Sequence, residues 1–93
     1  QVARALFLTT QEALANVARH ARANSVLVRV TFTKTAVVLT VTDDGQGFAA
    51  LKKGKSVGHG LANMQRRAKQ QNGQLAINST PGQGTIITLT LPR

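Results

Sequence analysis

The sequence predicts a two-layer α/β sandwich of the α+β kind, with two helices covering one face of a mixed, mostly antiparallel four-stranded sheet. Three observations carry this prediction. Two segments, 2–23 and 61–72, repeat apolar residues at helical spacing. Four others are short runs rich in Val, Ile, Leu and Thr, bounded by turn residues. Their order is helix, two strands, loop, helix, two strands, which suits helices stacked on a sheet of paired hairpins.

The first helix is read from Val2 to about Ala23, a stretch rich in Ala and Leu and free of Gly and Pro. Leu6, Ala13, Leu14, Val17 and Ala21 are expected to share its buried face. Glu12, Asn16, Arg19 and His20 then project from an adjoining polar stripe. Asn24 and Ser25 break the pattern, and SVLVRVTFT and VVLTVT read as a hairpin joined by the polar link Thr33 to Thr35. From Asp43 to Gly60 the chain holds five glycines and three lysines with no alternation, which is a long loop for so small a domain. Loops of that length tend to carry function. LANMQRRAKQQNG returns to helical spacing, with Leu61, Met64 and Ala68 on one side and Gly73 placed as its C-terminal cap. QLAINST and GTIITLTLP are the last two strands, separated by the turn residues Pro81 and Gly82.

Composition bounds the possibilities. Ninety-three residues is the length of one domain, enough to bury roughly 60–70% of the surface its unfolded chain exposes. Apolar residues make up 42% of the chain, with no Trp or Tyr and three Phe, so the core is built from Val, Ile, Leu and Ala. The absence of Cys excludes disulfides, thiolate metal sites and thiol nucleophiles, and it fits a reducing compartment, so a cytoplasmic location is expected. No apolar run approaches the roughly 20 residues that span a bilayer, and no signal-peptide pattern precedes the first helix. The chain begins at Gln1 rather than Met, so a fragment of a longer protein, itself open to membrane anchoring elsewhere, is expected. Twelve Lys and Arg against three acids give a net charge of +9, and the natural partners are polyanions: nucleic acid, a membrane surface, a nucleoside triphosphate or an acidic protein face. The three acids, Glu12, Asp43 and Asp44, all fall inside segments with chemical potential.

Four segments have that potential, and each also has a plain structural reading. In QEALANVARHA, the Asn16 amide oxygen can ligate a hard cation, Glu12 one turn earlier can orient water or accept a proton, and Arg19 can pair with a phosphate oxygen. The plain reading is a solvated helix face. In DDGQGF, Asp43 ends a strand, while Gly45 and Gly47 let the backbone turn and a flat ligand approach. A carboxylate at the floor of such a pocket accepts a hydrogen bond from the exocyclic amine of adenine and repels the oxygen of guanine. The plain reading, an Asp-Gly hairpin turn, is weakened because FAALKKGKS is not a strand to return into. In GHGL, Gly58 and Gly60 stand immediately before the second helix, whose N-terminal amides make a place for phosphates; the alternative is a flexible helix entry. Lys52, Lys53 and Lys55, just upstream, are expected in a lid over a triphosphate. In PGQGT, Gly82 and Gly84 form a hairpin loop, and Thr85 can also turn its hydroxyl toward the adenine end of a pocket.

In order, spacing and setting, these segments resemble the ATP-binding domain of sensor histidine kinases, and the resemblance covers the whole chain. QEALANVARHA is similar to the N box, DDGQGF to the first glycine box, GHGL to the second and GQGT to the third. The superfamily includes gyrase, Hsp90 and the MutL repair proteins and shares the Bergerat fold. Arg19 and His20, the short lid, and GHGLANMQRRA followed by GQLAINSTPGQGT look like the nitrate-sensor type of kinase, related to NarX, UhpB and DesK. The resemblance implies that residues 1–93 are one catalytic domain binding Mg-ATP, with Asn16 on magnesium and Glu12 assisting phosphoryl transfer. It implies that Arg19 stands where a phosphate-binding lysine is common, and that Asp43 reads the adenine amine with Thr85 behind it. Gly45 and Gly47 would shape the purine pocket, and Gly58 and Gly60 would offer amides to the phosphates. His20 and His59 are expected to line the site or serve structurally rather than act as the phosphate acceptor, and Leu61 is expected to line the site.

By the same resemblance, the γ-phosphate goes to a histidine on a separate dimerisation domain of the kinase and then to an aspartate on a response regulator receiver domain. An isolated domain of this kind is expected to be monomeric. Two features depart from the larger kinases. The aromatic-containing box between the first two glycine boxes has no counterpart, though Phe48 is present, and no dimerisation helix with an acceptor histidine is found. A serine kinase of the anti-sigma-factor type shares all four segments. A basic nucleic-acid-binding module fits the charge but lacks base-stacking aromatics and any nucleic-acid motif, so no nucleic-acid partner is expected.

Overall fold

The computed structural model describes residues 2–18, 24–45, 60–80 and 82–93. The elements follow the expected order: α1 (Val2–Asn16), β1 (Val26–Phe32), β2 (Ala36–Asp43), α2 (Gly60–Gln70), β3 (Gln74–Thr80) and β4 (Gly84–Pro92). The four strands form one sheet in the order β1-β2-β4-β3. Every pairing among the described residues is antiparallel, so the expected admixture of parallel pairing does not occur there.

Strand alternation fixes which side of the sheet is covered. Along β2, Val37, Leu39, Val41 and Asp43 are buried while the residues between them are half-buried. Along β4 the matching positions are Thr85, Ile87, Leu89 and Leu91. Both helices lie on this face. Ala5 and Ala13 of α1 and Met64 and Ala68 of α2 join the strand residues in one core, with Leu75 and Ile77 of β3 packed against it. Filling the two central strands with Val, Leu and Ile on the helix side is the burial that holds the layers together.

The first helix packs differently from the expected phase. Its buried residues are Ala5, Thr9, Ala13 and Asn16, at spacings of four, four and three. Leu14 is exposed, and Leu6 and Val17 are only half-buried. Small side chains form the buried stripe, Leu6 packs against the core at its edge, and Phe7 and Leu14 face outward; Phe7 is 65% exposed. Asn16 is thus buried rather than part of a solvated stripe. After Asn16, residues 17–18 widen to an i→i+5 turn. Ala21 and the expected last turn of this helix, to Ala23, lie outside the described residues.

The far edge of the sheet is barely covered. All seven residues of β1 are exposed, including Val26, Val28, Val30 and Phe32, which share the helix side through their pairing with Asp43, Val41, Leu39 and Val37. The end of the chain fastens this hairpin. Arg93 donates its backbone N–H to the Thr35 carbonyl and a guanidinium N–H to the Thr33 carbonyl, and its guanidinium lies 5.4 Å from the Phe32 ring centroid.

The second helix ends in a Schellman motif: Gly73 N–H donates to the Ala68 carbonyl and Asn72 N–H to the Lys69 carbonyl. The left-handed residue is Asn72, at φ 60°, and not Gly73 as the sequence suggested. Gly73 serves packing instead, since a Cβ there would run into the Thr90 carbonyl and the Leu91 side chain.

Candidate functional site

One end of the sheet brings together two of the candidates, Asp43 and Thr85. Strand β2 ends at Asp43, which pairs in register with Thr85 at the start of β4. Asp43 is 8% exposed and Thr85 3%. Burial of a carboxylate in a chain with two other acids is an unusual use of charge and requires hydrogen-bonded support. Part of that support is local: Asp43 Oδ1 accepts a hydrogen bond from the Gly45 N–H at 2.8 Å, the turn that DDG was expected to make. Gly45 is itself buried. The Thr85 hydroxyl shares a hydrogen bond with Ser79 Oγ, 3.1 Å away on β3, in which either hydroxyl can donate.

The hairpin loop before Thr85 is fitted to Asp43. Gly84 has φ +104°, and a Cβ at that position would meet the Asp43 carbonyl and the backbone of Asp44. Glycine is required there twice over, by conformation and by space. The third glycine segment is therefore a turn, as its plain reading had it, and it is also packed directly on the strand end that carries Asp43.

Asp44 works next to Asp43 but faces elsewhere. Its carboxylate accepts hydrogen bonds from the Asn24 N–H at 2.9 Å, the Ser25 N–H at 3.0 Å and the Ser25 hydroxyl at 3.1 Å. These bonds, foremost those of Ser25, hold its carboxyl below the usual carboxylate range. They tie the end of β2 to the chain entering β1, so the two segments either side of the first hairpin are fixed at one place.

The helices carry further candidates. Arg4, Ala5 and Leu8 of α1 line one cleft with Arg67, Gln70 and Gln71 of α2, so the start of α1 lies beside the end of α2. The end of α2 in turn adjoins Thr35, Ala36, Thr90 and Pro92, at the opposite end of the sheet from Asp43. The two helices therefore run in opposite directions, with the C-terminal end of α1, carrying Asn16, and the N-terminal end of α2, at Gly60, both directed toward the Asp43 end. Asn16 is buried and Glu12, one turn earlier, is half-buried. No group of three or more His, Asp or Glu residues able to hold a metal occurs among the described residues. Any hard cation bound here would take most of its ligands from a ligand such as a phosphate.

Arg19, His20, Gly47, Gly58 and His59 lie outside the described residues, as do Phe48 and the lysines Lys52, Lys53 and Lys55. Gly60, expected immediately before the second helix, is instead its first residue, and the side chain of Leu61 lies outside the described residues. The sequence reading passed over Ser79 and Thr9. Ser79 was findable by counting back from the turn, because a hairpin closed at Thr80 and Gly84 must set Ser79 opposite Thr85. No sequence signal marks Thr9, whose hydroxyl is buried with no hydrogen-bond partner among the described residues.

No described helix is long and apolar enough to cross a membrane. Residues 1–93 match the model of the histidine kinase-, DNA gyrase B- and HSP90-like ATPase family. Among curated proteins, the chain is 39% identical over 88 residues to the signal transduction histidine-protein kinase/phosphatase DegS of Brevibacillus brevis, covering 95% of this chain and 22% of that protein. It is 41% identical over 91 residues to the sensor histidine kinase MctS of Rhizobium johnstonii, covering 96% of this chain and 20% of that protein. The chain thus spans about a fifth of the length of these relatives. Among solved structures, the ATP-binding domain of PrrB from Mycobacterium tuberculosis superposes with a TM-score of 0.73 at 22% identity, covering 96% of this chain and 67% of that one. The histidine kinase domain of the blue-light activated kinase EL346 of Erythrobacter litoralis gives 0.75 at 23% identity, covering 91% of this chain and 42% of that one. These two superpositions establish the shared fold.

Proposed function

Because this chain belongs to the histidine kinase-, DNA gyrase B- and HSP90-like ATPase family, we propose that it binds Mg-ATP at the Asp43 end of the sheet and serves as the phosphate-donating domain of a two-component sensor kinase. The acceptor would be a histidine on a separate dimerisation domain of the same kinase, with a response regulator receiver domain as the onward recipient. The relatives at 39% and 41% identity are named as histidine kinases. A cytoplasmic location belongs to the same proposal.

The observation that carries the reading is the buried Asp43 carboxylate, held by the Gly45 N–H at one oxygen and set beside Thr85. A rigid carboxylate at a strand end matches the amine of adenine and opposes the carbonyl oxygen of guanine, so it selects as well as binds. Gly84 packs on the Asp43 carbonyl and so holds the strand end that carries the carboxylate. At the phosphate end, the unpaired amides at the start of α2 favour negative charge. Gly58, His59, Leu61, Arg19 and His20 would contribute there.

The donor set fits a nucleotide-borne magnesium ion. Asn16 supplies a hard amide oxygen and Glu12 a carboxylate one turn away, and the described residues hold no self-sufficient metal cluster. When bound, the ion would neutralise charge developing on the transferring phosphoryl group. Asn16 would hold it, and Glu12 would orient or deprotonate the incoming nucleophile. The protein's own contribution is then positioning and electrostatics, as phosphoryl transfer generally requires.

Thermal unfolding with added nucleotide tests the reading. ATP and ADP, with magnesium, are expected to raise the melting temperature in proportion to ligand excess over Kd. GTP and a short DNA duplex are expected to leave it unchanged. Equal stabilisation by GTP, or stabilisation by the duplex alone, would overturn the assignment.

A further inference from the structure

We infer that Ser79 is a positioning residue for purine recognition, orienting the Thr85 hydroxyl beside Asp43 and thereby setting how strongly the pocket prefers a 6-aminopurine. The inference rests on Asp43 being the carboxylate that meets the base. Asp43, Thr85 and Ser79 form one row across β2, β4 and β3: Asp43 is the register partner of Thr85, and Thr85 of Ser79. Directly opposed residues on antiparallel strands point to the same face. Here it is the helix-covered face, since Val41 and Ile87, two residues inward on β2 and β4, belong to the core.

Thr85 is 3% exposed, so water has little part in deciding where its hydroxyl proton points. A hydroxyl carries one proton and two lone pairs. Either hydroxyl can donate across the 3.1 Å contact; in the inferred arrangement Ser79 donates, occupying a lone pair of Thr85 and leaving the Thr85 proton to point away from β3, toward the Asp43 side of the row. A 6-aminopurine presents a donor at its amine and an acceptor at the adjacent ring nitrogen. A carboxylate acceptor next to a pinned hydroxyl donor, acting directly or through a water, complements that pair. A 6-oxopurine presents the reverse pattern and gains nothing from the pinned proton. Replacing Ser79 by Ala leaves the Thr85 hydroxyl to rotate, and the recognition pair loses its fixed polarity.

The frame around this row is rigid. Gly84 closes on the Asp43 carbonyl, the hairpin is fastened by the Gln83 N–H to the Thr80 carbonyl at 2.9 Å, and all three residues lie in ladder positions. Sites on strands hold geometry better than sites on loops.

Titration calorimetry of this chain with ATP, inosine triphosphate and tripolyphosphate tests the inference, using wild type, Ser79→Ala, Ser79→Thr, Thr85→Val and the double variant Ser79→Ala/Thr85→Val. Ser79→Ala is expected to weaken ATP about 3- to 10-fold, the effect of one part-buried hydrogen bond. Inosine triphosphate and tripolyphosphate stay at their wild-type affinities, so the ATP-to-inosine preference falls by the same factor. Ser79→Thr keeps the hydroxyl and should stay within about twofold of wild type. In the Thr85→Val background, Ser79→Ala should add nothing, because the two act as a unit. An unchanged ATP-to-inosine ratio overturns the inference, as does an equal loss for all three ligands or an undiminished effect in the Thr85→Val background. A wild-type chain that binds no ATP sinks the purine-site reading itself, whereas ATP binding with Ser79→Ala indistinguishable from wild type sinks only the role of Ser79.

Discussion

Gly84 rests against the backbone carbonyl of Asp43, so closely that a methyl group on its α-carbon would overlap that oxygen. The loop before β4 and the end of β2 are thereby built as one unit, and the position of the Asp43 carboxylate depends on a residue without a side chain. Gly84→Ala meets both a φ of +104° and this collision. It should lower stability by about 2–4 kcal/mol, measured as a shift in the urea midpoint at constant slope. A variant melting like wild type would show that the approach is not as close as described.

Thr9 offers the opposite expectation. Its hydroxyl is fully buried and has no partner among the described residues. Val has nearly the same shape and no polar atom to desolvate. Thr9→Val should therefore stabilise the fold by about 1 kcal/mol, visible as a higher melting temperature. A fall in melting temperature would mean that the hydroxyl has a partner after all.

Asp43→Asn separates folding from recognition. The Asn oxygen can still accept from the Gly45 N–H, so the turn should survive and the melting temperature of the empty chain should change little. The stabilisation by ATP should disappear, because the amide that replaces one carboxylate oxygen presents a donor to a donor. If the nucleotide-induced shift remains, Asp43 is not the purine-reading group.

Asp44 predicts a pH dependence with a definite sign. Its folded-state pKa is lowered, chiefly by hydrogen bonds from Ser25, so its ionised form favours the folded chain. That contribution is present above the unfolded pKa, about 4, and is lost as pH falls through the lower folded-state value. Melting temperatures of wild type and Asp44→Asn should differ at pH 7 and converge as the pH drops below about 4. A gap that widens toward acid would contradict the assignment.

Magnesium alone should bind poorly. With Asn16 proposed as the protein ligand, the ion is expected to arrive with a nucleotide whose phosphates supply most of its other ligands. Calorimetry with magnesium chloride and no nucleotide should show no saturable binding at micromolar concentration, and a tight isotherm would require further protein ligands.

Local chemistry wrote the element order into the sequence. The strand that ends at Asp43, the Thr33–Thr35 link and the turn before Thr85 depend on alternation and on turn residues a few positions apart, and all are readable from the letters. What lay beyond the letters depended on what stood opposite. The first helix carries apolar residues nearly all round, so its composition permitted more than one buried face; contact with the sheet chose the small residues Ala5, Thr9 and Ala13, which drew Asn16 into the interior and left Phe7 and Leu14 outside. Likewise β1 is as apolar as β2, yet β1 is exposed because the helices sit over β2, β4 and β3. The sequence by itself determined which elements form and where the candidate acids fall along them, because those follow from covalent neighbours. Only the tertiary structure decided which side chains are buried and that Ser79, Thr85 and Asp43 share a row, because burial and register are properties of pairs of surfaces.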